Sequence, residues 1–278
     1  MIGALYLLSL LPFAVLYLLA DFIFIILYKY PGYRKTVVQK NLRNSFPASS
    51  ATELAVIERN FYSFLADLMV ESVKLISTSK SEAMKHFQIE NMELLEQYFA
   101  AGKSIIAVSG HYGNWEMMNV LALDVKYQTN VVYKSLTNQI FDEFWNKVRS
   151  EFGATLVPMA KVMRHIATTR ANLSITLLVS DQTPSSPDAQ FYTTFMHQPT
   201  PVFTGVEKIA RATNYPVVFC DITVLKRGYY SLRFVPIAEN PRLCAENEIT
   251  IAHVNYLEKM INRAPQYWLW SHNRWKFN

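Results

Sequence analysis

The chain opens on a long apolar block. From Met1 to Tyr28 Asp21 is the only charged residue, and the block is long enough to cross a hydrocarbon core of about 30 Å as a helix. Helical periodicity returns where Leu54, Ile57, Phe61, Phe64, Leu65, Leu68, Val73 and Ile76 recur, which predicts a helix over 52–77 capped by Thr52. A second helix is expected over 91–100, ending at Gly102. The wholly apolar run Ile105 to Val108, preceded by Ser104, then reads as a buried strand.

From there strand and helix patterns alternate. Strands are expected at 131–133, 155–157 and 175–179, with helices at 138–152 and 162–171 between them, the first closed by Gly153. A helix over 202–213, strands at 217–220 and 229–235 and a helix over 247–262 complete the series. This order predicts a single α/β domain with a mixed, mostly parallel sheet flanked by helices. Ligands of open α/β sheets bind outside the carboxyl ends of the strands, and Asp181 and Gln182 follow one such end.

His111 follows another. Gly110 and Gly113 permit a tight turn after the strand, so Ser109-Gly110-His111-Tyr112-Gly113-Asn114-Trp115-Glu116 reads as strand, turn and helix start over 114–123. A neutral imidazole there can take the proton of an attacking hydroxyl, and Glu116 could hold its other ring nitrogen as N–H. The five-residue offset between the two does not match helix neighbours, so His111 belongs to the turn and Glu116 to the helix. The backbone N–H groups of the turn, at Tyr112 and Gly113, are candidate donors to an oxyanion. The same residues also fit a plain alternative, in which His111 packs a loop and Glu116 is a solvated helix residue.

Charge adds a direction to the apolar block. Lys29, Arg34, Lys35, Lys40 and Arg43 follow it without an acidic residue among them, and positive flanks stay cytoplasmic. The expectation is a transmembrane or deeply inserted anchor over 1–28 and a cytoplasmic-face body over 29–278. The 278 residues are 51% hydrophobic and 18% charged, enough to bury one large core. The net charge of +5 suits an anionic surface or an acidic partner. No zinc finger or arginine-rich helix accompanies that charge, which excludes the common nucleic-acid binding modes. Cys220 and Cys244 fit a reducing compartment and compose no metal site, and the other histidines lack ligand spacing.

Taken in order, Asn41-Leu42-Arg43-Asn44-Ser45-Phe46-Pro47, Gly110-His111-Tyr112-Gly113-Asn114-Trp115-Glu116, Asp181-Gln182 and the closing Pro265-Gln266-Tyr267-Trp268-Leu269-Trp270-Ser271-His272-Asn273-Arg274-Trp275-Lys276 cover most of the chain. Together they resemble the bacterial lipid A biosynthesis acyltransferases, within the wider glycerolipid acyltransferase superfamily. The resemblance implies an enzyme at the cytoplasmic face of the inner membrane. It would move a fatty acyl chain from acyl carrier protein, or from acyl-CoA, to a hydroxyl of a lipid A precursor or related membrane lipid, without a cofactor. It implies His111 as the base and Glu116 as its acidic partner in a His-x4-Glu motif. Lys134, Asn138 and Arg149 lie at intervals resembling the family's basic and amide positions; with Asn114, Asp181 and Gln182 they form the expected substrate-binding set. An arginine at 149 could clamp a phosphate of lipid or phosphopantetheine. Phe195-Met196-His197 departs from the double aromatic and glycine of many members, which leaves acyl and acceptor preference open. Two other readings share these features: an acyltransferase acting on a lysophospholipid or aminolipid, and a membrane-anchored lipid-binding protein without catalysis.

Overall fold

The computed structural model describes residues 2–30, 32–184 and 191–276. The helices α1 (Ile2–Ser9), α2 (Phe13–Lys29), α3 (Lys35–Ser45), α4 (Ala51–Lys74) and α5 (Lys80–His86) form the lead-in. Then come β1 (Phe87–Ile89), α6 (Met92–Ala100), β2 (Ile105–Ser109), a 3₁₀ run over Trp115–Leu123, β3 (Gln128–Tyr133) and α7 (Gln139–Ser150). The series continues with β4 (Thr155–Pro158), α8 (Val162–Thr168), β5 (Ser174–Val179), β6 (Phe191–Phe195), β7 (Gln198–Val202) and α9 (Gly205–Thr213). Two long strands, β8 (Val217–Lys226) and β9 (Tyr229–Ala238), and the helix α10 (Glu248–Arg263) close it.

Seven strands make one mixed sheet in the order β1-β9-β8-β2-β5-β3-β4, parallel except for the β8–β9 hairpin. The expected α/β architecture is therefore present. Central β2 is buried at all five positions, as a parallel strand covered on both faces must be. A separate β6–β7 hairpin occupies a stretch for which the apolar pattern gave no element before 202, and because β7 runs to Val202, α9 begins at Gly205 and not at 202. Its turn, Met196-His197, takes two positive φ angles that the sequence pattern does not advertise. Helix α4 starts one residue before the expected cap. Ser50 accepts the Glu53 N–H through its hydroxyl while Glu53 accepts the Ser50 N–H, a capping box that Thr52 does not join.

The N-terminal block departs furthest from expectation. It is not one helix but two, and among the described residues no helix is long and apolar enough to cross a membrane. Pro12 lacks an N–H and ends the ladder between α1 and α2. The ammonium of Lys74 then binds the freed carbonyls of Ser9 and Leu11, at 2.9 and 3.0 Å. Helix α2, at 17 residues, spans about 26 Å. It lies along α4, burying Leu16 and Ala20 against Ala66 and Val70. Asp21, costly inside a bilayer, instead meets Arg227 at 2.6 Å, and Arg227 also holds Asp67. The transmembrane anchor over 1–28 is thereby overturned, and the inner-membrane placement loses the span it rested on: the block is two helices, each packed on α4.

The closing segment is core. Trp268, Trp270 and Trp275 are buried, and the Asn41 amide binds the carbonyls of Trp270 and His272 at 2.9 and 3.0 Å. The two ends of the chain thus brace each other beside the carboxyl edge of the sheet. Both cysteines are free.

Candidate functional site

Register builds the site. Parallel pairing sets Ser109 of β2 opposite Val179 of β5, and the Ser180 N–H donates to the Ser109 carbonyl at 3.0 Å. Both strands end in step, so the second residue beyond each, His111 and Asp181, reaches the same edge. Gly110 makes the approach possible, since a Cβ there would lie 2.6 Å from Leu257 and 3.1 Å from the Asp181 carboxylate. Gly113, at φ +57°, lets the chain turn back under Ile222.

The two side chains meet directly. His111 Nδ1 lies 2.6 Å from Asp181 Oδ1, while Oδ2 accepts the His111 backbone N–H and the Trp268 indole N–H, each at 2.8 Å. A carboxylate only accepts, so this network assigns the ring proton to Nδ1 and leaves the Nε2 lone pair for other partners. The Gln182 amide nitrogen stands 3.3 Å from Nε2, and Trp115 meets the imidazole edge-on at 4.9 Å.

Electrostatics favours a charge-ready pair. Burial opposes the imidazolium, but the charge and hydrogen bond of Asp181 outweigh it and raise the His111 pKa above the ordinary histidine value. Burial likewise opposes the Asp181 carboxylate, yet the His111 charge and the converging donors hold it well below the usual carboxylate range. Behind Asp181 sits Arg274, 1% exposed, its Nη2 bound to the Pro201 carbonyl at 2.6 Å. Burial pushes its pKa down to about 10.

Glu116, expected to hold the ring nitrogen, is engaged elsewhere. Its two oxygens accept Arg149 Nε at 2.8 Å and Nη2 at 2.6 Å in a fork. Burial works against the Arg149 cation, and Glu116 reverses this and raises its pKa. The reason lies in the backbone. Asn114 caps the 3₁₀ run by accepting the Met117 N–H at 3.3 Å, and this tight start carries Glu116 past His111 toward α7, leaving the ring nitrogen to Asp181. Glu116 remains within electrostatic reach of His111, as does Arg149.

The other expected residues divide. Gln182 and Arg149 lie at the site. Asn114, expected to touch substrate, is fully buried and donates to Glu71 at 2.8 Å. Asn138 caps α7 by accepting the Phe141 N–H at 3.1 Å, and Lys134 is exposed on the segment before it. The turn amides expected to face an oxyanion have partners of their own. Tyr112 N–H donates to the Gly110 carbonyl at 2.8 Å, and Gly113 N–H to that of Tyr267 at 3.0 Å. Sequence reasoning missed the role of Trp268 as a donor to Asp181 and did not single out Glu71. The equal offsets of the two residues from the ends of β2 and β5 point to the His111–Asp181 pair only once those strands are known to be neighbours.

Fold and site define an α/β protein with an oriented histidine at the carboxyl edge of a parallel sheet, a class suited to activating a hydroxyl. The chain belongs to the bacterial lipid A biosynthesis acyltransferase family, which matches residues 1–277. Its family-level chemistry is acyl transfer on a lipid substrate. It is 23% identical over 279 residues to a lipid A biosynthesis palmitoleoyltransferase of Escherichia coli (strain K12), covering 99% of this chain and 89% of that one. A lipid A biosynthesis acyltransferase of Shigella flexneri matches with the same identity and coverage.

Proposed function

We propose that this protein transfers a fatty acyl group from a phosphopantetheine thioester, carried by acyl carrier protein or coenzyme A, to a hydroxyl of a lipid A precursor or related lipid. The observation that carries this reading is the 2.6 Å contact between His111 Nδ1 and Asp181, which fixes the tautomer and presents Nε2 as a base. In the reaction Nε2 takes the acceptor hydroxyl proton as its oxygen attacks the thioester carbonyl. The imidazolium so formed is stabilised by Asp181. Collapse of the tetrahedral intermediate breaks the carbon–sulfur bond, and the leaving thiolate recovers the proton from His111, giving an ester and a free thiol.

The oxyanion of that intermediate needs a donor. With the Tyr112 and Gly113 amides engaged, the Gln182 amide beside Nε2 is the group placed to supply one. Arg149, oriented by Glu116, keeps its Nη1 for a phosphate of the donor or acceptor, and its fork makes it a rigid clamp. Exposed apolar side chains ahead of and on α7, Leu136 and Ile140, offer an acyl chain a surface to follow.

The test is transfer from labelled acyl carrier protein and acyl-CoA to lipid acceptors by the parent and by His111→Ala. The variant is expected to lose roughly a hundredfold or more, the usual contribution of a positioned base. Rates within about tenfold of the parent would remove His111 from that role.

A further inference from the structure

Outside the His111–Asp181 pair, Glu71 is a buried carboxylate tied to several other elements. It is 3% exposed in the last turn of α4. Three donors from three other elements converge on its carboxylate: the Tyr17 hydroxyl of α2 at 3.0 Å, the Asn114 amide of the His111 turn at 2.8 Å, and the Tyr230 hydroxyl of β9 at 2.6 Å. Asn114 in turn accepts the Met117 N–H and so sets the start of the run that carries Glu116. We infer that Glu71 is a positioning residue that couples the seating of helix α2 on α4 to the geometry of the His111 turn. This coupling rests on the reading of that turn as the acyl-transfer site.

Packing alone does not fix the carboxylate. A cavity of about 310 Å³, bordered by Asp67, Glu71, Arg227, Tyr230 and Tyr267, opens beside it and gives it room to swing. The hydrogen bonds must therefore hold it. Gly228, at φ +76°, lets the β8–β9 turn pass directly against the Tyr17 hydroxyl, where any side chain would displace that donor.

The charges around Glu71 set how much each donor matters. Asp67 of α4 repels it, while Arg227 in the β8–β9 turn is shared between Asp67 and Asp21 of α2. His86 of α5 is bound at 2.6 Å to the Gly228 carbonyl on the same side. Burial raises the Glu71 pKa to about 7, with the three donors pulling it back. Loss of the Tyr17 donor moves it further up. Protonation of the carboxyl is then favoured, which weakens the acceptor that holds Asn114.

The experiment follows hydrogen exchange at Met117 and steady-state kinetics in the parent, Tyr17→Phe, Glu71→Gln and the double variant. Tyr17→Phe removes one oxygen atom from α2, far along the chain from the turn. It should speed Met117 exchange and lower kcat by about tenfold with KM held, the scale of one hydrogen bond to a charged group. Glu71→Gln should do the same, and adding Tyr17→Phe to it should change little, since both cut one connection. Unchanged Met117 exchange in Tyr17→Phe, or additive effects in the double variant, would overturn the coupling. A parent protein that transfers no acyl group would overturn the acyl-transfer reading alone, because the exchange arm decides the coupling by itself.

Discussion

Asp181 carries more of this site than its length of side chain suggests. Its two oxygens receive a ring nitrogen, a backbone amide and an indole N–H, so the carboxylate is ionised, immobile and aimed at His111. The indole is the most removable of these partners. Trp268→Phe keeps an aromatic ring in the core but deletes the donor, and a hydrogen bond to a charged group contributes about 1.5–3 kcal/mol. With the lost ring area added, we expect about 2–4 kcal/mol less stability in denaturant unfolding, together with slower acyl transfer. A variant as stable and as active as the parent would show that the backbone amide and His111 hold Asp181 unaided. Arg274 and His253, both buried, face the same region, and burial lowers the His253 pKa to about 4, keeping that ring neutral at physiological pH.

At the level of elements, the Arg149–Glu116 fork pins α7 to the 3₁₀ run. Both side chains are largely buried, so removing one partner strands the charge of the other. Arg149→Met should cost about 3 kcal/mol in unfolding free energy, and Arg149→Met with Glu116→Gln should recover much of it. Equal losses in the single and double variants would mean that α7 packing, not the pair, sets the cost. The same scale shows what the sequence made legible. Apolar periodicity located α4, α6, β2, α7, β5 and α10 to within a few residues, because burial on a helix face or in a parallel strand leaves a local signature. The β6–β7 hairpin, α3 and short β1 left none. His111 was legible from its turn, whereas the carboxylate that meets its ring was not: the offset to Glu116 is written along the chain, but the approach of Asp181 depends on which strands are neighbours.

For the molecule as a whole, the N-terminal block shows how composition misleads without tertiary context. A run apolar enough for a bilayer is divided by Pro12, stitched by Lys74 and given a counter-ion for Asp21 by Arg227. Its buried side, Leu16 and Ala20, covers Ala66 and Val70 of α4. Removing residues 2–29 should therefore lower the stability of the remainder by at least about 3 kcal/mol, since burying one leucine alone contributes roughly 2. Thermal unfolding of the truncated chain checks this. A melting temperature equal to the parent's would show that the N-terminal helices are an independent appendage. The closing segment is buried through its three tryptophans, and its contacts with Asn41 join two motifs that lie far apart along the chain.

The central claim is that His111 acts as a base that Asp181 orients and whose imidazolium it stabilises, and the pH dependence of kcat/KM in the parent, Asp181→Asn and Glu116→Gln tests it most directly. The base must be neutral, so activity is lost as pH falls through the His111 pKa. In the parent that midpoint should lie above the ordinary histidine value of about 6.5, because Asp181 raises it. Asp181→Asn removes the charge, leaves burial to dominate and should move the midpoint down, while the plateau rate falls about a hundredfold or more. Glu116→Gln should shift the midpoint far less. A midpoint unmoved by Asp181→Asn but lowered by Glu116→Gln would contradict the account and return the partner's role to Glu116.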